Sequence, residues 1–192
     1  MKTTIKSLAN DYITTVSGRR ISLIEPDIAT IRIEDIAHSL AMQVRFNGHV
    51  RDFYSVAQHS VIVSRIVERD VPGLALAALL HDAAEAIVGD VVQPLKRRMG
   101  GEYDVYESRS QVAIHRAVGL PDAVSHQEER IIKLADLTAL ATEKRDLFDH
   151  DDGPWEILAG ISPLEQRLIP ITNPVQARAE FLDRFSELMA LR

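Results

Sequence analysis

The chain has 192 residues, 46% of them hydrophobic and 26% charged, with a net charge of -6 and a pI near 5.6. That length suits a single domain spanning 1–192 around one core, and the balance of apolar and charged residues excludes extended disorder. The acidity excludes a nucleic-acid binder that works by neutralising many phosphates. The absence of cysteine excludes disulfides and thiolate sites, so any metal must be held by imidazole and carboxylate.

The amino-terminal MKTTIKSLANDY lacks the apolar core of a secretory signal, and no run approaches the ~20 apolar residues of a membrane span. The longest, Leu74 to Leu80, has the length of a core helix. No membrane role and a cytoplasmic location are therefore expected. Tyr12 to Val16 and Arg20 to Leu23 read as two short strands around the turn-prone Ser17-Gly18, a small hairpin.

Apolar residues then recur at helical intervals in Ile33 to Gln43, Ser55 to Glu68, Gly73 to Val88, Glu102 to Val118, Ser125 to Glu143 and Pro174 to Leu191. The fold class predicted is an all-α bundle of about six main helices with an amino-terminal hairpin. Ser125 followed by Glu128 makes a capping box, and Asn173-Pro174 supplies a cap with proline at the first helical position. Asp146 to Pro154 is acidic, and Pro163, Pro170 and Pro174 punctuate the next stretch of chain, so this region reads as loop.

The segment LALAALLHDAAEAIVGD is apolar for seven residues and then presents His81, Asp82 and Glu85. On a helix, spacings of four and three let all three project toward one site. Buried ionised carboxylates need a cation, a metal or a proton. In the helix containing QHSVIVSRIV, Val56, His59, Val63 and Ile66 share a stripe, so His59 faces inward. Alone it would read as a hydrogen-bonded core histidine. Asp136 follows Ile132 by four and precedes Ala139 by three and Leu140 by four, which places it too on an apolar face. A lone aspartate there would more often pair with a buried arginine or cap a helix. Three helices directing such groups inward favour a metal instead. Two imidazoles and two carboxylates suit Mn, Fe, Co, Ni or Zn, and a six-coordinate ion keeps positions open for water and a phosphate oxygen.

The order and spacing of His59, the His81-Asp82 doublet and Asp136 resemble the HD superfamily of metal-dependent phosphohydrolases. Arg45, QHS, HDAAEAIVGD, PLK and KLAD, in that order over residues 45 to 136, are similar to the branch holding bacterial 5′-deoxynucleotidases and related viral deoxynucleotide phosphohydrolases. The resemblance implies an HD-type helical domain and one divalent ion, Mg included, on His59, His81, Asp82 and Asp136. It implies that Glu85 and Asp90 orient water or exchange protons, that Arg45 and Lys96 contact phosphate, and that the substrate is a small deoxynucleotide. Monophosphates come first and triphosphates are the nearest variant. Helical proteins of this superfamily often self-associate, so a homo-oligomer is expected.

Plainer roles stand beside these. Glu85 could be a partner of His81, Asp90 a cap for a helix starting near Val91, Lys96 part of a solvated basic face with Arg97 and Arg98, and Arg45 a partner of Asp52. Phe46 stands where that branch carries tryptophan after its arginine, and keeps an aromatic face for a base or sugar. The leader before Arg45 is also longer than in that branch. His38 reads as a helix-face residue, His49 as a loop residue near the entrance, and Trp155, Met42, Met99 and Met189 as packing.

Overall fold

The structure is a computed structural model that describes residues 11–150 and 153–192. The reading of Met1 to Asn10 lies outside the described residues. Strands β1 (Tyr12–Thr14) and β2 (Arg20–Ser22) pair antiparallel with Ile13 opposite Ile21, the expected hairpin. Its turn is fastened to the bundle by Asp35, which accepts from the Thr15 and Ser17 hydroxyls at 2.8 and 2.6 Å and from the Ser17 N–H at 3.1 Å.

Eight α-helical segments come next among the described residues: α1 (Ile33–Met42), α2 (Val56–Asp70), α3 (Ala75–Leu79), α4 (Glu85–Val88), α5 (Gln93–Lys96), α6 (Glu102–Ala117), α7 (His126–Leu147) and α8 (Pro174–Ala190). The all-α bundle with a small hairpin is thus observed. α2 is the central element. One side of it packs with α1, α3 and α8 around Leu40, Val61, Leu79 and Phe181, all essentially inaccessible to solvent. Its other side packs with α7 through Val63, Val67, Ile132, Ala135 and Ala139. Truncating Phe181 to alanine in such a core costs about 3–5 kcal/mol. No helix is long and apolar enough to cross a membrane, among the described residues.

The helix starts agree with the sequence. Ser125 accepts from the Glu128 N–H while the Glu128 carboxylate accepts from the Ser125 N–H, and Asn173 caps α8 ahead of Pro174. Each such cap contributes about 1 kcal/mol.

Two boundaries differ from expectation. The single helix predicted over Gly73 to Val88 is broken: α3 stops at Leu79, and residues 80 to 84 form a tighter turn. There the Ala83, Glu85, Ala86 and Ile87 N–H groups donate three residues back. α7, expected to end at Glu143, runs one turn further to Leu147. That last turn ends on Asp146, which anchors the next, irregular segment by accepting from Arg145, Arg167 and the Leu168 N–H. Gln58 fixes the same segment further on, exchanging two hydrogen bonds with the Ile171 backbone. Of the stretch Asp146 to Pro154 read as loop, Asp146 and Leu147 belong to α7, residues 148 to 150 and 153 to 154 are irregular as expected, and Asp151 and Asp152 lie outside the described residues.

Candidate metal centre

Three stretches of chain bring imidazole and carboxylate groups to one point. His59 comes from α2 and is fully buried, His81 and Asp82 come from the turn after α3, and Asp136 comes from α7. His59 Nε2 lies 3.2 Å from Asp136 Oδ1 and 3.6 Å from Asp82 Oδ2, and His81 Nε2 lies 3.2 Å from that same Asp82 oxygen. One ligand-type atom from each of His59, His81 and Asp82 lies within 4.8 Å of the others, so these three residues can hold a metal ion. Asp136 directs one oxygen at His59, and its other oxygen accepts from Lys133 at 2.6 Å.

The protonation pattern suits a cation. His81 Nδ1–H donates to the Ala78 carbonyl at 2.9 Å, and His59 Nδ1–H donates to Glu143 Oε1 at 2.6 Å. Both partners only accept, so each ring has a proton on Nδ1 and turns Nε2 to the centre. Both Nε2 atoms are buried without a well-formed hydrogen bond among the described residues, although each has a carboxylate oxygen 3.2 Å away, of Asp136 for His59 and of Asp82 for His81. An unsatisfied buried polar atom costs about 1–3 kcal/mol, which ligation would recover.

The charges are strongly coupled. Burial and Arg45 push the His59 imidazolium down, but Glu143 and Asp136 outweigh them and hold it up at about 9. Burial pushes Asp82 and Asp136 up, and the two histidines more than reverse this, leaving both carboxyls well below their ordinary range. Glu85 goes the other way: burial, then the charges of Asp82 and Asp90, push it up to about 10. Asp90 is raised by burial as well, with Arg45 opposing and Asp82 adding.

Of the remaining sequence-predicted residues, Arg45 is drawn into the centre. Its guanidinium lies 3.2 Å from Glu143 and 3.8 Å from Asp82, while Asp52 pairs with Arg51 instead. Phe46 lies next to it, the Arg45 guanidinium carbon standing 5.2 Å from the ring centroid. Its ring meets Phe148 edge-on at 5.1 Å and Trp155 at 6.1 Å. Phe46 and Asn47 both adopt left-handed backbone, φ 57° and 51°, and Gly48 is next at 77°. Left-handed conformation costs a residue with a side chain about 1–2 kcal/mol, so this turn is held by its surroundings, including the Arg45 N–H donated to the Tyr54 carbonyl at 3.0 Å.

Glu85 does not hydrogen-bond His81, whose Nδ1 is taken by Ala78, and Glu85 Oε2 is buried without a partner among the described residues. Asp90 is not a helix cap: α5 begins at Gln93, two residues beyond Val91, with Val92 as its flanking residue. Lys96 is not on a free basic face. It donates to both oxygens of Glu107 at 2.6 Å and lies 4.8 Å from the Tyr103 ring. His38 is half-buried and His49 exposed.

Several residues that shape the centre are not marked by the sequence pattern. Glu143, fully buried, joins His59, Arg45 and the Tyr54 hydroxyl at 2.6, 3.2 and 3.0 Å. The signal that could have found it is its position two helical turns after Asp136 on the same face. Gln43 donates to the Glu85 carbonyl at 2.9 Å and accepts from the Asp90 N–H at 2.8 Å, fixing the stretch between the two carboxylates. Tyr103 donates to the Gly89 carbonyl at 2.5 Å. Long-range glutamine and tyrosine contacts of this kind have no local pattern.

Fold and site define an all-α protein with a candidate His/Asp metal centre. No family model matches the chain. It is 40% identical over 182 residues to the uncharacterized protein YfdR of Escherichia coli K12, covering 94% of this chain and 97% of that protein. It is 36% identical over 186 residues to an uncharacterized protein of Rhodobacter capsulatus, covering 91% and 93%. The chain belongs to the family these proteins form.

Proposed function

We propose that this protein is a divalent-metal-dependent phosphohydrolase of the HD type that cleaves a phosphate ester of a deoxynucleotide, first among them the 5′-monophosphates. The observation that carries the reading is the convergence of His59, His81, Asp82 and Asp136, with two buried Nε2 atoms lacking a well-formed hydrogen bond among the described residues. These four residues would hold the ion. When bound, a Mn, Fe, Co, Ni, Zn or Mg ion supplies Lewis acidity, polarising a phosphoryl oxygen and acidifying water.

The chain's own groups do the rest. Arg45, rigid between Glu143 and Asp82, offers a fixed cation to the oxygens of the ester. Glu85 has a buried oxygen with no partner among the described residues, and Asp90 stands at the other end of the stretch that Gln43 fixes. A water oxygen forms the new bond to phosphorus and the ester P–O bond breaks. These two carboxyl groups take up the proton of the water and return one to the leaving 5′-oxygen, so nucleoside and inorganic phosphate result. Phe46, beside Arg45, gives an aromatic face to the nucleoside.

The test is a panel of deoxy- and ribonucleotide mono-, di- and triphosphates with Mn, Co, Mg and Zn, scored by the phosphate species released. Orthophosphate from deoxynucleoside monophosphates is expected, and Glu85→Ala abolishes it with metal content unchanged. Inorganic triphosphate from deoxynucleoside triphosphates would replace the substrate but keep the centre. Metal uptake with no release from any nucleotide would make the protein a metal-stabilised binding module.

A further inference from the structure

The two ligands His81 and Asp82 lie on irregular chain, not on a helix, so something outside that chain must set their geometry. Within residues 80 to 84 the Ala84 N–H has no backbone partner, and the Leu80 carbonyl, which already accepts from the Ala83 N–H at 3.1 Å, has a second lone pair to offer. Both groups are met by Gln111 of α6, 27 and 31 residues away in sequence: the Ala84 N–H donates to Gln111 Oε1 at 3.1 Å, and Gln111 Nε2 donates to the Leu80 carbonyl at 2.6 Å. An N–H can only donate and a carbonyl can only accept, so these contacts fix which end of the amide faces which group.

The second hydrogen of Gln111 Nε2 points to His115 Nε2 at 2.8 Å, one helical turn on. Because that hydrogen is donated, His115 Nε2 must be the accepting nitrogen and its proton sits on Nδ1, which donates to the Pro121 carbonyl at 3.0 Å. His115 is 6% exposed. Every polar atom of the pair is thereby satisfied, with the loop after α6 at one end and the ends of the ligand turn at the other.

We propose that Gln111, oriented by His115, is a positioning residue that sets the His81–Asp82 turn for ligation. This rests on the phosphohydrolase metal centre proposed for the chain. It requires that loss of the clamp change metal affinity more than it changes the stability of the metal-free fold. Leucine at 111 has similar volume and neither hydrogen bond.

In Gln111→Leu, Mn2+ affinity measured by titration calorimetry falls about 10- to 100-fold, the range for removing a group that orients a ligand. Amide hydrogen exchange at Ala84 in the metal-free protein speeds up, while exchange in α2 and α7 does not. Ile114→Val, a buried apolar position on the same helix whose side chain offers no hydrogen bond to the turn, serves as the matched control: its Mn2+ affinity stays at the wild-type value. If Gln111→Leu binds Mn2+ as wild type does, or if Ile114→Val loses affinity as much, the positioning role is overturned and the metal reading stands. If wild-type protein takes up no Mn2+, Co2+ or Zn2+, the metal reading falls and the inference with it.

Discussion

Glu143 Oε1 lies 2.6 Å from His59 Nδ1, at the end of the ring opposite the nitrogen that faces Asp82 and Asp136. The same carboxylate holds Arg45 at 3.2 Å and accepts from Tyr54 at 3.0 Å. It is fully buried, yet its pKa is lowered: burial pushes it up, and Arg45 and His59 more than reverse that.

Glu143→Ala therefore removes the anion that compensates two buried cationic groups. Breaking a buried pair in this way costs about 3–5 kcal/mol, which urea denaturation of the metal-free protein measures. Glu143→Gln keeps an acceptor for His59 but not the charge opposite Arg45, so it should cost less and still weaken Mn2+ binding. Equal stability of the alanine variant and wild type would show that the buried network is not what holds this end of α7.

The pH dependence of the metal-free protein is governed in part by His59. Its folded pKa of about 9 lies above the ordinary 6.5, so the stability it contributes is fully present below pH 6.5 and is lost as pH rises through about 9. The depressed carboxyls of Asp82, Asp136 and Glu143 contribute stability above the usual carboxylate range that disappears on acidification. In the proposed centre the His59 proton competes with the cation for Nε2. Mn2+ affinity should then climb with pH across the same window, by up to about tenfold per unit for one displaced proton. Calorimetry in buffers of different ionisation enthalpy reads the released proton directly, and pH-independent affinity would contradict it.

Glu85 runs the opposite way from those depressed carboxyls and the same way as His59. With a folded value of about 10 against 4.5, the folded chain retains a proton that the unfolded chain releases, so stability falls as pH rises between those values. Glu85→Gln removes that slope, so at pH 8 the metal-free variant should be more stable than wild type, by a margin that shrinks as pH falls toward 5. Melting curves from pH 5 to 9 that run parallel for the two proteins would refute it.

The sequence made the inward groups legible because α2 and α7 are regular: the intervals around His59 and Asp136 report their faces directly. The same rule gave the wrong local picture at His81 and Asp82. A single helix from Gly73 to Val88 would give those residues a helical spacing, whereas the chain leaves α-geometry at Leu80 and is held there by Gln111. Residue type and burial still predicted that both belong to a polar centre. The left-handed turn at Phe46 and Asn47 was legible only in part: asparagine tolerates positive φ and Asn47-Gly48 marks a turn, but phenylalanine announces nothing of the kind and surrounding contacts impose it there. The reach of Lys96 to Glu107 was hidden for a related reason, that an ion pair between α5 and α6 depends on how two separate helices meet.

That ion pair yields a test of the role assigned to Lys96. The side chains of Lys96 and Glu107 are 20% and 26% exposed, and both carboxylate oxygens are engaged at 2.6 Å. A phosphate recruiting Lys96 must compete with Glu107, because an ammonium shared between two anions is attracted to each less effectively than one offered to the ester alone. Glu107→Gln should thus lower KM for a deoxynucleoside monophosphate by about threefold to tenfold, equivalent to about 0.7–1.4 kcal/mol, with kcat little changed. Lys96→Met should raise KM by at least as much, and combining the two changes should leave it at the Lys96→Met value. If Glu107→Gln leaves KM unaltered while Lys96→Met only lowers the melting temperature, Lys96 serves to join α5 to α6 and takes no part in holding the substrate.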